Sequence, residues 1–207
     1  MVKLLITRYL KRRHLLAQSA LKQRYLVIDL ELTGLDPKQH EIVSVAWVLI
    51  ENQCIKNSQS QHIVNKEVKS LEQSPVFHGI IDDTVAKGQS LHTILTQLSR
   101  DFSDHILVFH NAILDWRFLK AALKNANISA QPKLILDTLH IEKKRLICQG
   151  AEIKQDDLTL SACRKRYELP SYHCHNALTD AQATAELLLA QCYQINRGKE
   201  LQLRSII

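Results

Sequence analysis

The feature that most constrains this chain is the run Arg24-Tyr-Leu-Val-Ile-Asp-Leu-Glu31, a strand-length apolar stretch that ends in two carboxylates. The turn signal Gly34-Leu-Asp-Pro37 closes it, so it reads as a buried strand delivering its acids to one end. Residues i and i+2 of a strand project from the same face, so Asp29 and Glu31 point at one spot. Two carboxylates held together repel, and loss of water raises the cost; a cation removes both penalties. Hard oxygen donors select Mg²⁺ or Mn²⁺ over zinc. Taken alone, an Asp-x-Glu at a strand end also fits a solvated turn.

The pattern downstream sets the fold class. Glu41–Ile50 makes a second apolar strand and Ser60–Val64 ends a third, with a hairpin break at Glu51-Asn52-Gln53. Leu91, Ile94, Leu95, Leu98 and Phe102 share a helical face. They are followed by a strand over His105–His110 and a helix over Ala112–Leu123. A short strand at Lys133–Leu136, a helix from Thr138, and helices over Leu158–Tyr167 and Ala177–Tyr193 complete the series. Strands first as a meander, then alternating with helices, predict an α/β domain with a mixed sheet flanked by helices.

Bulk properties narrow the function classes. A chain of 207 residues, 45% hydrophobic and 23% charged, suits one core-forming domain. No stretch approaches the ~20 consecutive apolar residues of a membrane-spanning helix. The five cysteines, Cys54, Cys148, Cys163, Cys174 and Cys192, are odd in number and contain no CxxC pair. They predict no disulfide framework and a reducing, cytoplasmic setting. Cys174 lies between His173 and His175, but a structural zinc needs a second pair of soft ligands, and no such pair stands at a recognisable spacing.

The net charge of +6 is unevenly placed. Residues 1–24 carry seven bases (Lys3, Arg8, Lys11, Arg12, Arg13, Lys22, Arg24) and no acid; removing those seven leaves 20 bases against 21 acids. Leu4, Leu5, Tyr9, Leu15, Leu16, Ala20 and Leu21 recur there at roughly helical spacing. A basic N-terminal helical arm is expected, with three uses open: packing on the domain, gripping nucleic acid, or organelle targeting. The predicted organisation is an arm over 1–23, a domain over 24–193 and a C-terminal tail over 194–207.

Two further segments place acids at element ends. In His110-Asn-Ala-Ile-Leu-Asp115 an apolar strand runs into a helix whose first turn holds Asp115. The helix dipole alone favours a carboxylate there, yet the carboxyl end of a sheet strand is also where open α/β sheets bind ligands. In His175-Asn-Ala-Leu-Thr-Asp180, Asn176 is a good N-cap. It would leave His175 just outside the helix and free to turn toward Asp180. By itself His175 reads equally as a surface loop histidine.

Together these segments resemble the DEDD exonuclease superfamily, histidine subtype, whose members include the polymerase III proofreading subunit and ribonuclease T. Asp29-Leu-Glu-Leu-Thr-Gly34 is similar to that family's first motif, His110–Asp115 to its second and His175–Ala181 to its third. Val76-Phe-His-Gly-Ile80 and Leu136-Asp-Thr138 resemble two further segments. The likeness spans roughly residues 24–193 and rests on three ordered motifs. Leu32 stands where the family usually has Thr or Ser, and Leu114 where it usually has Phe; neither change removes an acid.

The resemblance implies a ribonuclease H-like fold with a five-stranded mixed sheet, and a 3′–5′ exonuclease acting on single-stranded or frayed DNA. It implies two Mg²⁺ or Mn²⁺ ions held by Asp29, Glu31 and Asp180, with Asp115 acting directly or through water, and His175 as general base. Leu32, Thr33, Leu35, His78, His110 and Asn111 are expected around the terminal nucleotide. Nucleic-acid 3′ ends are the implied partner, with no membrane, and a polymerase or a second copy of the chain as protein partner. An RNA 3′-end trimming enzyme and a non-catalytic nucleic-acid-binding module are the alternatives that these motifs leave open.

Overall fold

In a computed structural model of the chain, residues 2–71, 80, 82–172, 176–196 and 200–207 are described. The strands are β1 (Tyr25–Leu32), β2 (Ile42–Glu51), β3 (Cys54–Ile55), β4 (Gln61–Val64), β5 (Ile106–Phe109) and β6 (Ile135–Asp137). The helices are α1 (Val2–Ala17), α2 (Asp82–Ala86), α3 (Leu91–Ser99), α4 (Ala112–Asn125), α5 (Thr138–Cys148), α6 (Leu160–Arg166) and α7 (Ala177–Asn196). Among the described residues no helix is long and apolar enough to cross a membrane.

The six strands form one mixed sheet in the order β3-β2-β1-β5-β6, with β4 also on β2. β3 pairs with the Ile50 end of β2 and β4 with Ser44–Trp47, so the two share one edge and the sheet is five strands wide. β1 runs antiparallel to β2 and parallel to β5, and β5 parallel to β6. The hairpin at Asn52 and Gln53 has positive φ at both residues (52° and 61°), the backbone that matches the twist of the flanking strands. β6 starts later than the pattern of Lys133–Leu136 suggests. Its pairing with β5 begins at Ile135, beyond Pro132, which has no N–H to give.

Strict alternation divides the core in two. Tyr25 and Val27 of β1, Ala46, Val48 and Ile50 of β2, and Ile106 and Val108 of β5 face one layer. Leu26, Ile28 and Leu30, then Val45, Trp47 and Leu49, then Leu107 and Phe109 face the other. The first layer is covered by α7 through Ala177, Ala181, Ala185 and Leu188, the three alanines at helical spacing bringing the helix close to the sheet. The second is covered by Ile94, Leu95 and Leu98 of α3 and by Phe118, Leu119 and Leu123 of α4.

Both chain ends join the first layer. Leu15, Leu16 and Leu21 pack against it and Ala20 is fully buried, whereas Tyr9 and Leu10 are exposed. Among the described side chains, the arm therefore docks by its carboxyl end. Leu201, Leu203 and Ile206 are buried in the same layer. Ala20 donates to the Leu201 carbonyl at 2.7 Å and Leu203 to the Gln18 carbonyl at 3.0 Å. The residues expected to trail as a tail thus form part of the core's cover.

Candidate active site

Asp29 and Glu31 continue the Tyr25/Val27 face of β1, the face that α7 covers. α7 starts where Asn176 caps it, its side chain accepting from the backbone N–H of Leu178 (3.1 Å) and Thr179 (3.3 Å). That start places Asp180 in the first turn, one residue before the buried Ala181. Carboxylate oxygens of Asp29, Glu31 and Asp180 all lie within 4.8 Å of one another. The register of β1 against β2 shifts between Glu31 and Leu32, the kind of irregularity that re-aims side chains at strand ends.

Asp115 comes from the other layer, in the first turn of α4, and is 7% exposed. Burial, and then the charges of Asp115, Asp180 and Glu31, push the Asp29 carboxyl well above its usual range. Burial and Asp180 raise Glu31 to about 7. Asp115 rises to about 8, chiefly by burial, with Asp137 and Glu31 adding to the shift and backbone hydrogen bonds opposing it. Asp29, Glu31 and Asp115, shifted up in this way, tend to hold protons unless a cation replaces them. Their all-oxygen donor set suits Mg²⁺ or Mn²⁺.

The turn leading to Asp115 is held from below. Asn111 adopts the left-handed conformation (φ 76°, ψ 54°), which Asn tolerates better than most side chains. Its N–H and that of Ala112 both donate to the Asp137 carboxylate at 3.0 Å, and Leu139 N–H donates to the same group at 3.0 Å. Asp137 therefore caps α5 and fixes the β5–α4 turn at once. His110 is held between the Thr138 hydroxyl at 2.8 Å and the Leu158 carbonyl at 2.9 Å. A carbonyl can only accept, so Nε2 carries the hydrogen donated to Leu158, while the Thr138 hydroxyl also donates to the Phe109 carbonyl at 3.2 Å. Burial lowers the pKa of this ring and keeps it neutral.

A model of the Exonuclease (RNase_T) family matches residues 26–188. The chain belongs to the exonuclease family. It is 29% identical over 173 residues to a 3′–5′ exonuclease DinG of Staphylococcus haemolyticus, covering 82% of this chain and 18% of that protein. It is 28% identical over 166 residues to a PolC-type DNA polymerase III of Thermotoga maritima, covering 80% of this chain and 12% of that one. The chain thus spans less than a fifth of the length of these relatives. In fold it is similar to cell-death related nuclease 4 (TM-score 0.71, 18% identity, 86% of this chain and 65% of that one). It is also similar to E. coli exonuclease I solved with a dT13 oligonucleotide (TM-score 0.65, 15% identity, 81% and 40%).

For this exonuclease-family chain, the remaining expected contacts fall in three groups. Leu35 is 72% exposed just past β1, open to a ligand. Leu32 packs against the second core layer. The Thr33 hydroxyl accepts from Glu41 N–H at 2.9 Å, pinning the loop between β1 and β2. A Cβ at Gly34 would come 2.2 Å from the His40 ring, so any larger residue there would displace that side chain. His110 and Asn111 act through the turn that Asp137 and Thr138 hold. His78 and His175 lie outside the described residues, as do His173 and Cys174 of the zinc alternative. The motif reading missed Asp137 as organiser of the second motif. It also missed Ile113, an apolar side chain 72% exposed two residues before Asp115.

Proposed function

We propose that this chain is a metal-dependent 3′–5′ exonuclease that removes nucleotides from single-stranded or frayed DNA ends. One observation carries the proposal: three carboxylates within 4.8 Å of one another, brought together from two elements against a fourth, buried acid. Asp29, Glu31 and Asp180 would hold two Mg²⁺ or Mn²⁺ ions, with Asp115 behind them. Bound there, the ions would supply Lewis acidity and a water acidic enough to attack phosphorus.

The chain's own residues do the rest. His175, immediately before the Asn176 cap, accepts the attacking water's proton, a task suited to an imidazole of pKa near 6.5. The helix that follows it in sequence carries Asp180 in its first turn. Leu35 and Ile113, exposed on the β1–β2 loop and the first turn of α4, offer apolar surface to the terminal base. The Asp137 clamp keeps the α4 turn, and with it Asp115, from moving when a strand enters. The likeness to proteins named 3′–5′ exonuclease and DNA polymerase III supports DNA and the 3′ polarity.

The test is a side-by-side digestion of end-labelled single-stranded DNA, duplex DNA and RNA with Mg²⁺, with Mn²⁺ and with EDTA. Mononucleotides released from the 3′ end of single-stranded DNA are expected, with none in EDTA or in Asp29→Ala. Undiminished cleavage in EDTA would overturn the metal reading, and faster digestion of RNA would overturn the choice of DNA.

A further inference from the structure

A second feature lies outside the acid cluster. Between α1 and α4, and bounded by the loop before β6, runs an open cleft of about 1610 Å³. Lys11, Arg12 and His14 line it from the arm, Lys120 and Lys124 from α4, and Lys133 from the loop; among the described residues no acid lines it. Among the described residues Lys11, Arg12, Lys120 and Lys124 take part in no ion pair. A groove of one sign, left unneutralised, concentrates counter-charge from solution.

The cleft is also placed to follow the active site. Trp116, Lys120 and Lys124 recur every four residues on one face of α4. That face starts one residue after Asp115 and continues for about 12 Å along the helix. Trp116 is half-buried, its ring tilted against Phe102 at 6.4 Å between centroids, and part of it remains open to the cleft. Cations along a groove with an aromatic surface at one end are the elements of a single-strand track, where phosphates pair and bases stack.

We infer that this cleft binds the phosphate backbone of the substrate strand upstream of its 3′ end, with the arm helix as one wall. The identity of the strand rests on the exonuclease reading. The polyanion specificity rests on the cleft alone. The arm docks by its carboxyl end and leaves residues 9–14 exposed, so this stretch adds charge to the track rather than cover to the core.

The experiment uses the full chain in EDTA, with a labelled oligo-dT of about 15 nucleotides, a length within the range of known single-strand sites. Binding is measured across a salt series for wild type, for Lys120→Glu/Lys124→Glu, and for Lys11→Glu/Arg12→Glu on the arm. Each double variant is expected to bind at least about tenfold more weakly. The log–log salt slope should fall by roughly 0.7 for each phosphate that the protein no longer neutralises. Hydrolysis of the p-nitrophenyl ester of thymidine 5′-monophosphate with Mn²⁺ should be unchanged, because one phosphate cannot reach the cleft. Unaltered affinity and slope in both variants, with ester hydrolysis intact, would overturn the inference and leave the cleft to an acidic protein. A wild type that binds the strand through the cleft yet never cleaves the ester would sink the catalytic reading and uphold this one.

Discussion

Replacing Asp115 by Asn should stabilise the metal-free protein while removing its activity, because the acid cluster is costly without a cation. Asp115 has a usual pKa of 3.8, raised to about 8 in the folded chain chiefly by burial. Below pH 3.8 folded and unfolded chains are both protonated there, and nothing is lost. As pH rises toward 8 the unfolded chain releases its proton while the folded chain keeps it, so stability falls with pH and then levels off. Each pH unit in that window is worth about 1.36 kcal/mol. At pH 7 this amounts to roughly 4 kcal/mol at most. Asp29 feels the Asp115 charge, so the two share one repulsion, and about 2 kcal/mol is the gain expected from neutralising Asp115 alone. For a chain of this length that raises the melting temperature by roughly 4–8 °C. Thermal unfolding in EDTA from pH 5 to 8 reads the effect directly. The wild type should lose stability over that range and Asp115→Asn should lose less. With Mg²⁺ the order should reverse, since the variant gains less from the ion. A variant less stable than wild type at pH 7 in EDTA, or one whose profile merely runs parallel, would refute the reasoning.

Two other outcomes are expected. His175→Ala should retain divalent-metal binding while its cleavage rate falls about 10²–10⁴-fold and loses its pH dependence in the imidazole range. His173→Ala should change little, and damage from His173→Ala instead would reassign the base. Glu142, fully buried, accepts from Arg145 at 2.6 Å and from Tyr167 at 2.7 Å, with Arg166 at 3.5 Å. Glu142→Gln leaves those cations facing a neutral group and should cost about 3 kcal/mol, read as a lower urea midpoint with an unchanged slope.

Much of the fold was legible because β1, β2 and β5 are strand-length, near-continuous apolar runs, the mark of strands covered on both faces. Asp29 and Glu31 were legible for the same reason, since they alone interrupt the apolar run of β1, two residues apart and hence on one face. Asn176 announced the start of α7 by its chemistry, and Asp180 followed from it. What escaped depends on partners distant in sequence. Asp137 holds Asn111 and Ala112, a relation that no local pattern encodes. Glu142 sits in Ile141-Glu-Lys-Lys-Arg145, which reads as a solvated helix face. Its burial is set by Tyr167 and Gln191, from helices later in the chain. Leu201, Leu203 and Ile206 are too few to show a period, and their cover comes from Ala20 at the far end of the chain.

The pairing of Gln18 and Ala20 with Leu201 and Leu203 fixes an order of events during synthesis. Asp29 and Glu31 leave the ribosome about 150 residues before Asp180, an interval of roughly 8–30 s at common translation rates of about 5–20 residues per second. Through that interval the nascent chain holds Asp29 and Glu31, joined midway by Asp115, but lacks the third carboxylate of the cluster. The acid set closes when α7 emerges, and the clasp between the two ends closes after it. The cluster therefore completes only after β1, β5 and α4 have emerged, and the clasp that holds the basic helix forms later still.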